Sequence, residues 1–74
     1  MALAVPQEIS LTVNDEPRRA PAGSSIAQFV ALIGLNPLKI AVERNGHIAP
    51  RGSHADIVLA DGDVLEIVHF VGGG

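Results

Sequence analysis

The sequence predicts an α+β fold in which one main helix packs on one face of a mixed four- to five-stranded sheet. Three observations support this fold class. Residues 8–13 alternate polar and apolar side chains, as half-buried strands do. A capped apolar stripe begins at Ser25, and an Asn-Gly pair at residues 45–46 joins two short strand-like runs. Because neither the helix nor the sheet buries its apolar side alone, the helix must cover the sheet.

The composition indicates one small domain, residues 1–74, with an aliphatic core. Of its 74 residues, 47% are hydrophobic and 3% are aromatic. The chain has no cysteine, which excludes disulfides and thiolate chemistry and fits a cytoplasmic location. The net charge of -3 argues against nucleic-acid binding. Since no apolar run approaches the roughly 20 residues of a membrane helix, we expect no membrane association.

The first hairpin is predicted from alternation and turn residues. Glu8–Val13 is the first strand, residues 14–17 (Asn-Asp-Glu-Pro) form the turn, and residues 18–20 form a short second strand. Pro17 and Pro21 bracket this second strand, so we expect it at an edge of the sheet, where a missing N–H matters least.

The helix has a start signal, a stripe and a stop signal. Ser25 is a good N-cap, and Gln28 three residues later is placed to close a capping box. Gly34 suits the left-handed position after the helix, and Pro37 prevents continuation. The i, i+3, i+4, i+7 spacing predicts one buried stripe, made of Ile26, Phe29, Val30 and Ile33.

The second half of the chain predicts another hairpin and a returning strand. Ile40–Arg44 and His47–Ala49 flank the Asn-Gly turn. Residues 51–56 are a polar connection, and residues 57–60 are either a helical turn or extended chain. A turn at residues 61–63 precedes the last strand, residues 64–71.

The element order is that of the ubiquitin-like β-grasp fold. Two strands, a helix, two strands and a final strand follow one another. In that fold the first and last strands are central and parallel, and the second and fourth lie at or towards the edges. The prolines agree, because they flank the second strand and end the fourth.

Within the chain, we predict no catalytic and no metal site. The three histidines, His47, His54 and His69, lack metal-ligand spacing and are interpreted as surface or edge polar residues. Asp61 and Asp63 flank a glycine, as in part of a calcium loop, but the other ligands of such a loop are missing. A turn explains this pair better.

The last strand has one face that does not contribute to the core. Alternation places Leu65 and Ile67 towards the helix and Glu66, Val68 and Phe70 outwards. An exposed Val–Phe pair beside the C-terminus indicates a docking patch. Ordinary surface apolarity, or burial under another segment, explains it equally well.

The glycines that end the chain, Gly72, Gly73 and Gly74, are predicted to form a flexible tail. Glycine has no Cβ, so such a tail fits a narrow channel and leaves the terminal carboxylate unhindered. Joining that carboxylate to AMP makes it an acyl donor that a sulfur or nitrogen nucleophile attacks. On its own, a glycine tail is as typical of a frayed terminus as of a reactive one.

Several motifs together carry a family resemblance. They occur in order at residues 45–46 (NG), 48–51 (IAPR), 61–63 (DGD) and 67–74 (IVHFVGGG). In these motifs the chain resembles the ThiS-type sulfur carrier proteins of thiamine biosynthesis, which have the ubiquitin-like β-grasp fold. The resemblance covers nearly all of the chain after the first seven or so residues.

The resemblance implies a reaction cycle at Gly74. A ubiquitin-activating-type (ThiF-type) enzyme would adenylate its carboxylate with ATP, and sulfur from cysteine, delivered through a cysteine desulfurase, would replace AMP. A ThiG-type thiazole synthase would then take sulfur from the thiocarboxylate into the thiazole ring. Gly72 and Gly73 would thread into the partner, while Glu66, Val68 and Phe70 would dock it. The protein would be a cosubstrate, not an enzyme, with no bound cofactor, and a monomer when free.

One of the departures from the family pattern concerns Arg44, and three alternative functions are also open. Arg44 stands where an apolar residue is common before the Asn-Gly turn, and we expect it to snorkel to water from a strand end. The same tail would suit the small subunit of molybdopterin synthase or a ubiquitin-like protein modifier. The third alternative is an interaction module with an idle tail.

Overall fold

A computed structural model describes residues 7–70 and shows one α-helix against one five-stranded mixed sheet, with two short 3-10 helices at Pro37–Lys39 and Arg51–Ser53. The strand order is β2-β1-β5-β3-β4, with β1 and β5 parallel and the other neighbours antiparallel. This confirms the predicted β-grasp arrangement, with central first and last strands. The elements are β1 (Glu8–Val13), β2 (Glu16–Pro21), α1 (Ile26–Leu32), β3 (Ile40–Arg44), β4 (His47–Ala49) and β5 (Val64–His69).

The first hairpin turn is shorter than its sequence indicates. The prediction that residues 14–17 form the turn and residues 18–20 the strand was wrong, because β2 already begins at Glu16. Asn14 and Asp15 alone form the loop, with φ of 50° and 66°. Asn and Asp tolerate this left-handed conformation, which matches the twist of a two-residue hairpin.

Pro17 lies inside β2 without the loss of a hydrogen bond. The residue opposite it is Thr12, whose N–H points the other way and donates to the Asp63 carbonyl before β5 (3.0 Å). The missing N–H of Pro17 therefore faces the open side of an edge strand, where prolines are tolerated.

The capping box at the start of α1 is confirmed. The Gln28 N–H donates to Ser25 Oγ (3.1 Å), and the Ser25 N–H donates to Gln28 Oε1 (2.9 Å). Gly34, with φ of 78°, takes the left-handed position beyond the helix. Three residues of the predicted stripe are fully buried, and Ile33 is half-buried against them; the buried three are Ile26, Phe29 and Val30.

The core lies between α1 and the inner face of the sheet. Phe29 packs among aliphatic side chains from the three central strands, which are Ile9, Leu11, Val13, Ile40, Val42, Leu65 and Ile67. Residues 57–60, left open between helix and extended chain, are extended: Val58 forms a bridge with Ser25, and Leu59 is buried.

His54 is part of this core, so its interpretation as a surface or edge residue was wrong. Its ring is buried, and Nε2 lies 2.9 Å from the Ala49 carbonyl oxygen. Because a carbonyl only accepts, Nε2 carries the proton and donates it. The His54 carbonyl in turn accepts the Ala27 N–H of α1 (2.9 Å), so the 51–56 connection joins the end of β4 to the helix.

Asn14 holds β5 from the β1 side. Its backbone N–H donates to the Leu65 carbonyl (3.0 Å). Its side-chain amide then bonds both backbone groups of Ile67, accepting from the N–H (2.7 Å) and donating to the carbonyl (3.1 Å). The side chain thus makes the hydrogen bonds to β5 that the next backbone residue of β1 would make, at the point where the backbone turns into β2.

Asn45 holds β5 from the β3 side in a similar way. This turn residue, with φ of 52°, donates its backbone N–H to the Val64 carbonyl (2.7 Å). Its Oδ1 accepts the Val64 N–H (2.8 Å), and its Nδ2 donates to Asp63 Oδ1 (3.0 Å).

Asp63 joins the turn before β5 to the end of β3. Its Oδ2 accepts from Arg44 Nε (2.8 Å) and from the Ala60 N–H (2.8 Å). Arg44 lies at a strand end, as predicted, but its Nε binds a buried carboxylate instead of extending to water. Burial alone would raise the pKa of Asp63, but the hydrogen bonds from Ala60, Asn45 and Arg44, with the charge of Arg44, hold that pKa below its usual value.

Replacing Asn14 by glycine tests the side-chain clamp on β5. Glycine keeps the positive φ but removes both amide bonds, so we expect a loss of about 1–2 kcal/mol of unfolding free energy. Hydrogen exchange at the Ile67 N–H should accelerate relative to the Phe70 N–H, which is bonded to the Lys39 carbonyl. Asp15→Gly, at the other positive-φ turn residue, is the control. Equal exchange at Ile67 in both variants would contradict the clamp.

Asp63→Asn tests the carboxylate at the start of β5. Loss of its charged hydrogen bonds should lower the unfolding free energy by about 1.5–3 kcal/mol at neutral pH. Since the folded pKa is depressed, the stabilisation is present above the unfolded pKa of about 3.9 and is lost as the pH falls through the lower, folded pKa. Denaturant unfolding at several pH values should show this acid-dependent loss in the wild type and less of it in the variant. The exposed Asp56→Asn is the control, and parallel pH profiles for wild type and Asp63→Asn would refute the assignment.

Candidate functional site

The outer face of β5 carries apolar side chains that the domain leaves uncovered. Leu65 and Ile67 point into the core, as the alternation predicts, while Glu66 and Val68 point outwards. Val68 is 58% exposed and Phe70, just beyond the strand, is 51% exposed. Within residues 7–70, no other segment buries Val68 or Phe70, so both side chains are accessible.

The chain is held for one residue beyond the end of β5. The Phe70 N–H donates to the Lys39 carbonyl (2.8 Å), which continues the pairing of β5 with β3. The predicted adenylation residue Gly74 and the threading residues Gly72 and Gly73 lie outside the described residues, as does Val71. Their roles stay predictions, and so does the predicted flexibility of the tail.

Strand pairing brings three further residues beside Glu66 and Val68. Ala41 lies opposite Val68, Glu43 lies opposite Glu66, and Ile48 of β4 lies opposite Glu43. Ile48 is 74% exposed. A shallow groove of about 210 Å³ runs between them. We call this region the outer sheet surface and define it as Ala41, Glu43, Ile48, Glu66, Val68 and Phe70.

Sequence reasoning missed half of the outer sheet surface. The signal was present in part, because Ile40 and Val42 read as core positions and leave Ala41 and Glu43 to the other face of β3. What the sequence lacked was the register that sets Glu43 against Glu66.

The two glutamates give the outer sheet surface negative charge. Directly opposite residues on one sheet face have Cβ atoms about 4.5–5.5 Å apart, so their carboxylates repel each other. Within residues 7–70, the ion pairs are Arg19–Glu8 and Arg44–Asp63, and neither involves this glutamate pair.

The remaining polar candidates do not form a reaction centre in the described chain. His47 Nδ1 lies 3.2 Å from the Asn45 carbonyl, and His54 is occupied in the core. Asp61 Oδ1 accepts the Ser10 N–H of β1 (2.7 Å), and the Asp63 N–H closes the predicted turn on the Ala60 carbonyl (3.0 Å). Across residues 7–70, no three His, Cys, Asp or Glu side chains are grouped so that they could hold a metal ion. None of the helices in this range has the length and apolarity to cross a membrane.

Part of the similarity of this chain is to longer proteins. It is 39% identical over 66 residues to a thiazole synthase of Magnetococcus marinus, and 41% identical over 66 residues to one of Paramagnetospirillum magneticum. These alignments include 89% of this chain but 20% of each thiazole synthase. The chain therefore spans about a fifth of the length of these relatives.

Other similarities are to proteins of matching size. The sulfur carrier protein ThiS of Bacillus subtilis is 42% identical over 50 residues, 68% of this chain and 76% of that protein. The crystal structure of a thiamine biosynthesis protein (ThiS) from Geobacter metallireducens superposes with a TM-score of 0.74 at 29% identity, covering 89% of this chain and 100% of that one. The ThiS family itself matches residues 6–74. The resemblance read from the motifs is thus confirmed, and the chain belongs to the ThiS family.

Proposed function

We propose that this protein is a sulfur carrier of thiamine biosynthesis that holds sulfur as a thiocarboxylate on Gly74. The observation that carries the proposal is the family match, which runs through the three terminal glycines. The Bacillus subtilis relative is named a sulfur carrier protein, and the Geobacter relative a thiamine biosynthesis protein. On this proposal the protein is a cosubstrate and not an enzyme.

Two steps load the carrier. A carboxylate oxygen of Gly74 attacks the α-phosphorus of ATP in a ThiF-type partner, pyrophosphate leaves, and an acyl-adenylate forms. Sulfur taken from cysteine by a desulfurase, and reduced by a thiol to the sulfide level, then attacks the acyl carbon and expels AMP, which leaves the thiocarboxylate. ATP belongs to the partner enzyme, and the carrier binds no cofactor of its own. The dependence on ATP and the absence of cysteine fit a cycle in the cytoplasm.

Unloading requires a thiazole synthase of the ThiG type. In the two thiazole synthase relatives, a segment similar to this chain is part of a longer protein that bears that name. The presence of both in one polypeptide in those relatives supports an encounter between this carrier domain and a thiazole synthase here. We expect a monomeric carrier between these encounters, since each partner uses the same tail.

The described fold suits delivery of a terminal carboxylate. β5 is held by β1 and β3, and Phe70, which directly follows β5, is bonded to Lys39. Residues 71–74 can span at most roughly 13–14 Å when extended. The folded domain can therefore rest on the surface of a partner while Gly72 and Gly73 pass through a channel. Glu66, Val68 and Phe70 follow one another on the outer face of the segment that leads to the tail and serve as docking residues.

Deleting Gly74 tests the reactive terminus. We expect AMP incorporation by the adenylating enzyme to be abolished, because the carboxylate then ends one residue short of the ATP. The melting temperature should stay unchanged, since one terminal residue adds little to packing. Deletion of Ala2, at the other end of the chain, is the matched control. An unchanged rate of AMP incorporation without Gly74 would reject the proposed function.

Phe70→Ala tests the docking role of the outer face. Because Phe70 is half exposed, its truncation should weaken adenylation through a higher KM for the carrier and change the melting temperature little. Leu32→Ala on α1 removes a side chain of similar exposure and should leave the KM unchanged. A variant whose main defect is a lower melting temperature would show that Phe70 acts in folding instead.

A further inference from the structure

The outer sheet surface is poorly suited to a free domain in two respects. Its groove is lined by Ala41, Ile48 and Val68, and the latter two are exposed to water. Glu43 and Glu66 face each other across the β3–β5 ladder, where like charges are destabilising. Neither feature contributes to the core on the opposite face.

The chain does not neutralise this glutamate pair with a cation of its own in the described range. Arg44 follows Glu43 directly, but strand alternation turns it to the other face, where its Nε bonds Asp63 (2.8 Å). Arg19 is paired with Glu8 at the far side of the sheet (3.0 Å). Within residues 7–70 the charge of Glu43 and Glu66 is thus left for an external group.

The shape and charge of the groove define that group. Two carboxylates on neighbouring strands suit one planar guanidinium, which offers five N–H donors and binds carboxylates in a bidentate manner. The aliphatic stem of an arginine would lie against Ile48 and Val68, which line the same groove. A mostly apolar neighbourhood strengthens such a contact by excluding water.

We propose that Glu43 and Glu66 together bind an arginine on the surface of the adenylating enzyme and so select that partner. This inference rests on the proposed function. An enzyme that brings a carboxylate and the triphosphate of ATP together must offset the repulsion between two anions with positive charge near its channel. A carrier surface with two carboxylates on and beside the strand that leads to the tail is complementary to such an enzyme.

The proposal has a signature that a structural role would not produce. Removing one carboxylate relieves the repulsion in the free domain, so the protein becomes more stable. The same change removes half of the site for the guanidinium, so the complex becomes weaker. A glutamate kept for folding would lose stability when neutralised, and a bystander would change neither property.

The test uses Glu43→Gln and Glu66→Gln in the full chain, with Asp56→Asn as a control that removes the same charge from an exposed position outside this surface. Carrier-dependent ATP–pyrophosphate exchange by the adenylating enzyme gives kcat and the KM for the carrier. We expect each glutamine variant to raise the KM about three- to tenfold without changing kcat, and added salt to reduce the difference. The melting temperature should rise by about 1–6 °C in each.

A charge reversal strengthens the test. Glu43→Lys can pair with Glu66 across the strands, so it should melt higher still and have a larger KM than Glu43→Gln. If the KM values of the glutamine variants equal that of Asp56→Asn, the inference is overturned. If only the affinity for thiazole synthase falls, the assignment of the partner is overturned. If folded wild-type carrier supports no exchange at all, the proposed function fails, and this inference fails with it.

Discussion

The attachment of β5 at the centre of the sheet is the constraint on which the rest of the structure depends. β1 and β3 pair with it from opposite sides, and two turn residues complete the pairing. Asn14 and Asn45 both adopt a positive φ, and both use a side-chain amide to bond the backbone of β5. The strand that leads to the terminal glycines is therefore held at two points, from opposite sides.

This attachment separates the two tasks of the strand. The inner face contributes Leu65 and Ile67 to the core, and the outer face presents Glu66 and Val68 to solvent. Because successive side chains of a strand point to opposite faces, one short segment can both stabilise the domain and recognise a partner. The outer face is free to carry opposed charges and exposed apolar groups, since stability comes from the other side.

The features of the fold that the sequence predicts correctly are those that local chemistry determines. The capping box at Ser25, the turn at Asn45 and the alternation along β1 and β5 each depend on neighbouring residues, and each is confirmed. Apart from the first hairpin turn, where β2 begins earlier than predicted, the errors concern partners that the sequence does not reveal. His54 finds a carbonyl beyond the connection, and Arg44 finds a carboxylate 19 residues away. Likewise, the sequence identifies Glu66 as a docking residue but does not predict that Glu43 lies opposite it, because strand register decides that pairing.

Intact mass spectrometry of the protein isolated from its own cells grown without thiamine tests whether Gly74 carries sulfur. A fraction of the chain should be heavier by the exchange of one oxygen for one sulfur, with the change mapped to Gly74. That fraction should disappear in cells that lack the adenylating enzyme. A chain that keeps an unmodified carboxylate under these conditions, or that is found in isopeptide linkage to lysine, would contradict the account.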